Sequence, residues 1–109
     1  MKKTLKPERL ELLLRDIRDV CYTRGNPPWV TLVDLCADLK LQGRWRMGWF
    51  SLNPYHLANY LRQLYLEPER RPDDTGISRG GYRFEVLDNL FSRNVEGPPR
   101  KVAVTEAKP

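Results

Sequence analysis

Residues 53–83 read NPYHLANYLRQLYLEPERRPDDTGISRGGYR, and the fold turns on how this stretch divides. Asn53 is a good helix cap, and Pro54 suits the first helical position, where a missing N–H costs little. Leu57, Tyr60, Leu61 and Leu64 follow at three-four spacing. That pattern predicts a helix with one apolar stripe, ending near Leu66 because Pro68 blocks continuation. Asp73-Asp74-Thr75-Gly76 then gathers turn formers between two segments able to extend, which predicts a β-hairpin over Glu67 to Arg83. Pro68 and Pro72 confine its first strand to a sheet edge.

Upstream, Glu8 to Arg24 is predicted as a first helix. Leu10, Leu13, Leu14, Ile17, Val20 and Cys21 form its apolar stripe, and Gly25 supplies the stop. Asn26-Pro27-Pro28 is a rigid connector and Trp29-Val30 a short extended segment. Thr31, with Asp34 three residues on, caps a second helix whose inner face is Leu32, Leu35, Cys36 and Leu39 and which ends near Leu41. Gln42 to Leu52 reads as a loop. Downstream, Phe84 to about Asn94 is a last helix offering Val86 or Leu87, Leu90 and Phe91 to the core. The order helix, short strand, helix, helix, hairpin, helix predicts an α+β fold, a winged helix-turn-helix: a three-helix core with a small β-hairpin wing and a C-terminal helix. An all-helical bundle with an irregular loop at 67–83 is the structural alternative. The expected division is a basic N-terminal tail at 1–7, the winged-helix domain at 8–95 and a flexible C-terminal tail at 96–109.

The inventory narrows the function. A chain of 109 residues, 40% apolar and 30% charged, is one ordinary globular domain. No apolar run approaches the roughly 20 residues that span a bilayer. The lysines at the start are followed by Pro7-Glu8-Arg9 rather than by an apolar stretch, so export is not expected and the cytoplasm is. Two cysteines and one histidine make neither a disulfide framework nor a zinc set. Cys21 and Cys36 fall on inward faces and read as small buried apolar groups. His56 has no cysteine or acid at motif spacing. No catalytic residue, metal or cofactor is assigned, and no enzyme is expected.

The net charge is +5, and its distribution qualifies it. Three lysines lie in residues 1–7, the balance over 8–43 is −1, that over 44–93 is +2, and the last sixteen residues add +1. All eight cations of 44–93 are arginine, whose planar fork of donors suits phosphates and guanine edges.

Three groups of residues are candidates for binding. On the outer face of the 53–66 helix, Asn59 and Gln63 can pair with adenine and Arg62 with guanine or a phosphate, while Tyr55 and His56 lie at the amino end that reaches base edges. Against this stands a merely solvated polar face. On the wing, Arg70, Arg71, Arg79 and Arg83 can meet phosphates or enter a minor groove. The plain alternative there is a set of surface ion pairs with Glu67, Glu69, Asp73 and Asp74. In Arg44-Trp45-Arg46-Met47-Gly48-Trp49-Phe50, aromatics between arginines can stack on unpaired bases or anchor a partner protein through Arg44, Trp45, Arg46 and Trp49. Otherwise Trp45, Trp49 and Phe50 close the core.

Several short motifs share an order with one family. They are Leu13-Leu14-Arg15-Asp16-Ile17-Arg18-Asp19-Val20, Thr31-Leu32-Val33-Asp34-Leu35, Leu52 to Leu61, and Gly80-Gly81-Tyr82-Arg83-Phe84 with Phe91-Ser92-Arg93 downstream. Over residues 12–94 the chain resembles the winged-helix-like C-terminal domain of unknown function found in phage and plasmid primase-helicase-type proteins. It departs in having Asn53 for the usual cap threonine and Gly80 for a common lysine, and it contains no Gly-x-x-x-x-Gly-Lys-Ser/Thr run. The resemblance implies a replication setting for a mobile element. The expected function is DNA binding, duplex first and single strand second, as an accessory to such replication, with Lys2, Lys3 and Lys6 helping to grip phosphates. The alternatives are a module that docks a helicase, primase or initiator without touching DNA, and a small transcriptional regulator.

Overall fold

In a computed structural model of the protein, which describes residues 5–42, 45–47, 50–72 and 74–99, the elements run α1 (Pro7–Thr23), β1 (Trp29–Thr31), α2 (Leu32–Leu41), β2 (Arg46–Met47), β3 (Phe50–Ser51), α3 (Pro54–Arg62), β4 (Glu69–Pro72), β5 (Ser78–Arg83) and α4 (Phe84–Asn94). The fold is α+β. Its main sheet has the order β1-β5-β4, antiparallel throughout, with Val30 opposite Tyr82 and Arg71 opposite Arg79. The central strand β5 therefore ties the hairpin to the segment between α1 and α2. The stretch expected as a loop over 42–52 contains instead a two-stranded ribbon, β2 with β3.

Local chemistry sets the helix boundaries. Thr31 Oγ1 accepts the Asp34 N–H at 3.1 Å, and Asn53 Oδ1 accepts the His56 N–H at 2.8 Å. Each cap satisfies one donor that the first turn leaves open. The C-terminal ends of α1 and α3 share one motif. After α1, the N–H of Asn26 bonds to the Cys21 carbonyl and that of Gly25 to the Tyr22 carbonyl, with Gly25 at φ +86°. After α3, the N–H of Leu66 bonds to the Leu61 carbonyl and that of Tyr65 to the Arg62 carbonyl, with Tyr65 at φ 65°. This reversal ends α3 four residues before the expected limit at Leu66. It places a non-glycine residue in the left-handed region, where glycine usually stands. Leu61 and Leu66 are both buried and close the motif with the apolar contact it usually carries.

The core collects Leu13, Leu14, Ile17 and Val20 of α1, Leu35 and Leu39 of α2, Leu57, Tyr60 and Leu61 of α3, Tyr82 of β5, and Leu87, Leu90 and Phe91 of α4. Burying each large side chain contributes roughly 1.5–3 kcal/mol. Trp45 joins them with no exposed surface; its indole N–H donates to Asp16 Oδ2 at 2.8 Å, and the Arg9 guanidinium lies 5.0 Å from its ring centre. This contact fastens the α2–α3 connection to α1 and leaves buried Asp16 satisfied. Buried Asp38 is likewise paired, with Arg24.

The described parts of the two tails are held. The Gln63 side-chain amide clasps the backbone of Leu5, accepting its N–H at 2.9 Å and donating to its carbonyl at 3.2 Å. Arg18 donates to the carbonyls of Gly97 and Pro98, so residues expected to begin a loose tail are tied to α1. Among the described residues no helix is long and apolar enough to cross a membrane.

Candidate nucleic-acid interface

Alternation along the hairpin sorts its arginines. Arg70 stands opposite Gly80, and Arg71 opposite Arg79, so neighbouring side chains on β4 leave opposite faces of the sheet. The face that carries Val30, Gly80 and Tyr82 looks toward the helices. Where β4 and β5 overhang α3, a cleft of about 400 Å³ opens. Leu32 and Val33 of α2, Tyr55, Ala58 and Arg62 of α3, and Arg70, Arg79 and Gly80 of the hairpin line it. Tyr55, Ala58 and Arg62 are a three-four stripe. Gly80 lets the sheet close on α2: a Cβ there would stand 3.3 Å from Leu32 Cδ1.

Arg62 of α3 and Arg70 of β4 thus face one recess, whereas Arg79, at its rim, stands opposite Arg71 and shares that residue's face of the sheet. Arg62 is positioned from both sides: its Nη1 donates to Asn59 Oδ1 at 3.0 Å and its Nε to Glu67 Oε1 at 2.9 Å. The hydrogen bond it donates to Glu67 raises the Arg62 pKa above its ordinary value. Arg70 is exposed and meets no carboxylate among the described residues. The recess also exposes apolar surface, with Tyr55 67% and Val33 51% accessible. The Tyr82 hydroxyl is buried without a hydrogen-bond partner among the described residues. Burial raises its pKa, and it lies close enough to Arg62 and Glu67 for both to act on it.

On the other face the cations serve the sheet. The Arg71 guanidinium stacks 4.2 Å from the Trp29 ring centre and lies 3.8 Å from Glu69. Arg83 reaches Glu69 at 2.7 Å and Glu85 at 3.1 Å. Trp29 lies across Gly81, where a Cβ would come within 2.7 Å of the ring and 2.5 Å of the Val30 carbonyl oxygen. Glycine is required there by close approach.

Two of the base-reading expectations on α3 need correction. Asn59 is 7% exposed and spends its oxygen on Arg62, so it does not face solvent. Gln63 spends both ends of its amide on Leu5, and neither residue is available to pair with adenine. His56 is half-buried and stacks on Tyr60 with ring centres 6.3 Å apart. Tyr55 is the α3 residue that stands outward as expected. The proposed wing set divides: Arg70 faces the cleft with Arg62, Arg71 and Arg83 border a separate depression with Pro28 and Phe84, and Arg79, at the cleft's rim, shares the face of Arg71 by register. Trp45, expected in one reading to anchor a partner, is corrected to a core residue. The other members of that set, Arg44, Trp49 and the side chain of Arg46, lie outside the described residues, as do Lys2 and Lys3. Lys6 is exposed at the start of α1.

Sequence reasoning missed Val33, Ala58 and Gly80 as cleft residues. An apolar Val33 off the inner stripe of α2 was the available signal; nothing local marks the other two. Burial pushes the Cys21 thiol up to about 12 and raises that of Cys36, so both are protonated at neutral pH and neither is a ready nucleophile. Among the described residues no three His, Cys, Asp or Glu side chains gather as around a metal ion. No family model matches the chain, and neither a curated protein nor a solved structure matches it.

Proposed function

We propose that the protein is a DNA-binding winged-helix domain whose contact surface is the cleft between α3 and the β4–β5 hairpin. The observation that carries this reading is the convergence of Arg62 and Arg70, from a helix and a strand, on one recess that also exposes Tyr55. Phosphates are the ligand chemistry that guanidinium forks suit best. The winged-helix assignment is supported by the pairing of the hairpin's second strand with the short strand that precedes α2. In this reading the hairpin is the wing and α3 the helix presented to DNA. The sequence resemblance supports a further element of the proposal, a cytoplasmic accessory role in replicating a phage- or plasmid-type element beside its helicase, primase or initiator.

The purified chain is titrated with labelled DNA at a series of salt concentrations. Binding to a single strand through two neutralised phosphates gives a log–log slope of about −1.4, and binding to duplex a somewhat steeper one. Replacing Arg70 by alanine flattens that slope. No binding to either form of DNA at low salt removes the proposal.

A further inference from the structure

We infer that the cleft takes an unpaired nucleotide, its base stacked on Tyr55 and its phosphates held by Arg62 and Arg70, so that the protein's substrate class is single-stranded DNA. This rests on the nucleic-acid reading above and narrows it, reversing the order expected from sequence, in which duplex came first.

Three observations point the same way. The groups suited to reading base-pair edges are already engaged, Asn59 with Arg62 and Gln63 with Leu5. What α3 does offer at its amino end is an aromatic face, Tyr55, 67% accessible, with Val33, 51% accessible, on the same cleft. Large apolar surface left open inside a concave, cationic site marks a place where something apolar and anionic docks. A base is flat and apolar on its faces and carries its phosphate beside it. In a duplex both faces of each base are covered by its neighbours, so only an unpaired base can present one to Tyr55. Shape agrees: a recess of about 400 Å³ suits a nucleotide-sized group and does not admit a duplex. Aromatic faces set in a basic groove are the general arrangement for binding single strands. An acidic protein segment would satisfy the arginines but offers no flat face to the tyrosine.

The test compares three fluorescent probes by anisotropy with the full chain: oligothymidine, a blunt duplex of two fully complementary strands and a glutamate-rich peptide. The expected result is oligothymidine bound roughly tenfold more tightly than duplex. Tyr55→Ala lowers the oligothymidine affinity by roughly tenfold and changes duplex affinity by less than about twofold, while Tyr55→Phe, which keeps the ring, retains wild-type affinity. Tyr55 is exposed enough that its replacement leaves the melting transition in place, which a thermal scan verifies. Duplex bound as tightly as or more tightly than the single strand, or both weakened equally by Tyr55→Ala, overturns the inference and leaves the DNA-binding proposal standing. No binding to either DNA removes both. A peptide bound more tightly than oligothymidine also removes both and assigns the cleft to a protein partner.

Discussion

The two faces of the β4–β5 hairpin carry the same residue type and put it to different use. On the outer face Arg71 and Arg83 share Glu69, Arg83 also reaches Glu85, and Arg71 covers Trp29. Their charge is answered by carboxylates within the sheet, and their packing holds a tryptophan on a glycine. On the cleft side Arg70 has no such answer among the described residues, and Arg62 has one carboxylate that is itself 73% exposed. A count of arginines along the hairpin therefore overstates the cationic surface. What decides whether a guanidinium is open to a ligand is the parity of its position on the strand and the acids that share its face.

That contrast can be broken in four ways. The largest effect belongs to the outer face. Gly81→Ala forces a methyl group against the Val30 carbonyl and the Trp29 ring, and the expected cost is about 3 kcal/mol of stability, read as an earlier midpoint in urea. An unchanged midpoint would show that Trp29 does not lie on β5. Next, Arg70→Ala lowers DNA affinity by roughly fivefold and flattens the single-strand salt slope by about 0.7. The urea midpoint of this variant stays within the shift expected of surface changes, about 0.5 kcal/mol. Arg71→Ala does the reverse: it removes the stacking on Trp29, costs roughly 0.5–1 kcal/mol of stability, and leaves DNA affinity within experimental error. If Arg71→Ala weakened binding as much as Arg70→Ala, the division between faces would fail. The smallest change is Glu67→Gln, which loosens one of the two holds on Arg62 and lowers DNA affinity by about twofold, as expected for an exposed ion pair worth well under 1 kcal/mol. A rise in affinity would mean that Glu67 competes with the ligand rather than holding Arg62 in its working position.

Elements with strong local signals were legible in the sequence. Asn53 before Pro54, Thr31 before Asp34, and the turn formers at 73–76 each act through the few bonds nearest them, and α2, the hairpin and α4 have the expected spans. Trp45 was readable as a core residue because a ring of that size is rarely spared by a small core. The ribbon at 46–51 escaped because strands of two residues show no alternation. Asn59 was misread because its residue type suggests solvent, whereas it is buried and bonded to Arg62. The clasp on Gln63 depends on Leu5, 58 positions away, and no local pattern encodes such a pairing. Candidate site chemistry was thus visible as a list of arginines, whereas their assignment to faces needed the register between β4 and β5.

Arg62 is pinned at both ends, by the buried Asn59 amide one turn back and by a carboxylate across the turn that follows α3. A long, flexible side chain normally surrenders its rotational freedom only when a ligand arrives, and that loss is charged against affinity. Here the freezing has already happened during folding. In the DNA complex proposed above, a phosphate would meet one guanidinium preorganised and another, Arg70, still to be recruited, so capture would begin at the helix and be completed by the hairpin.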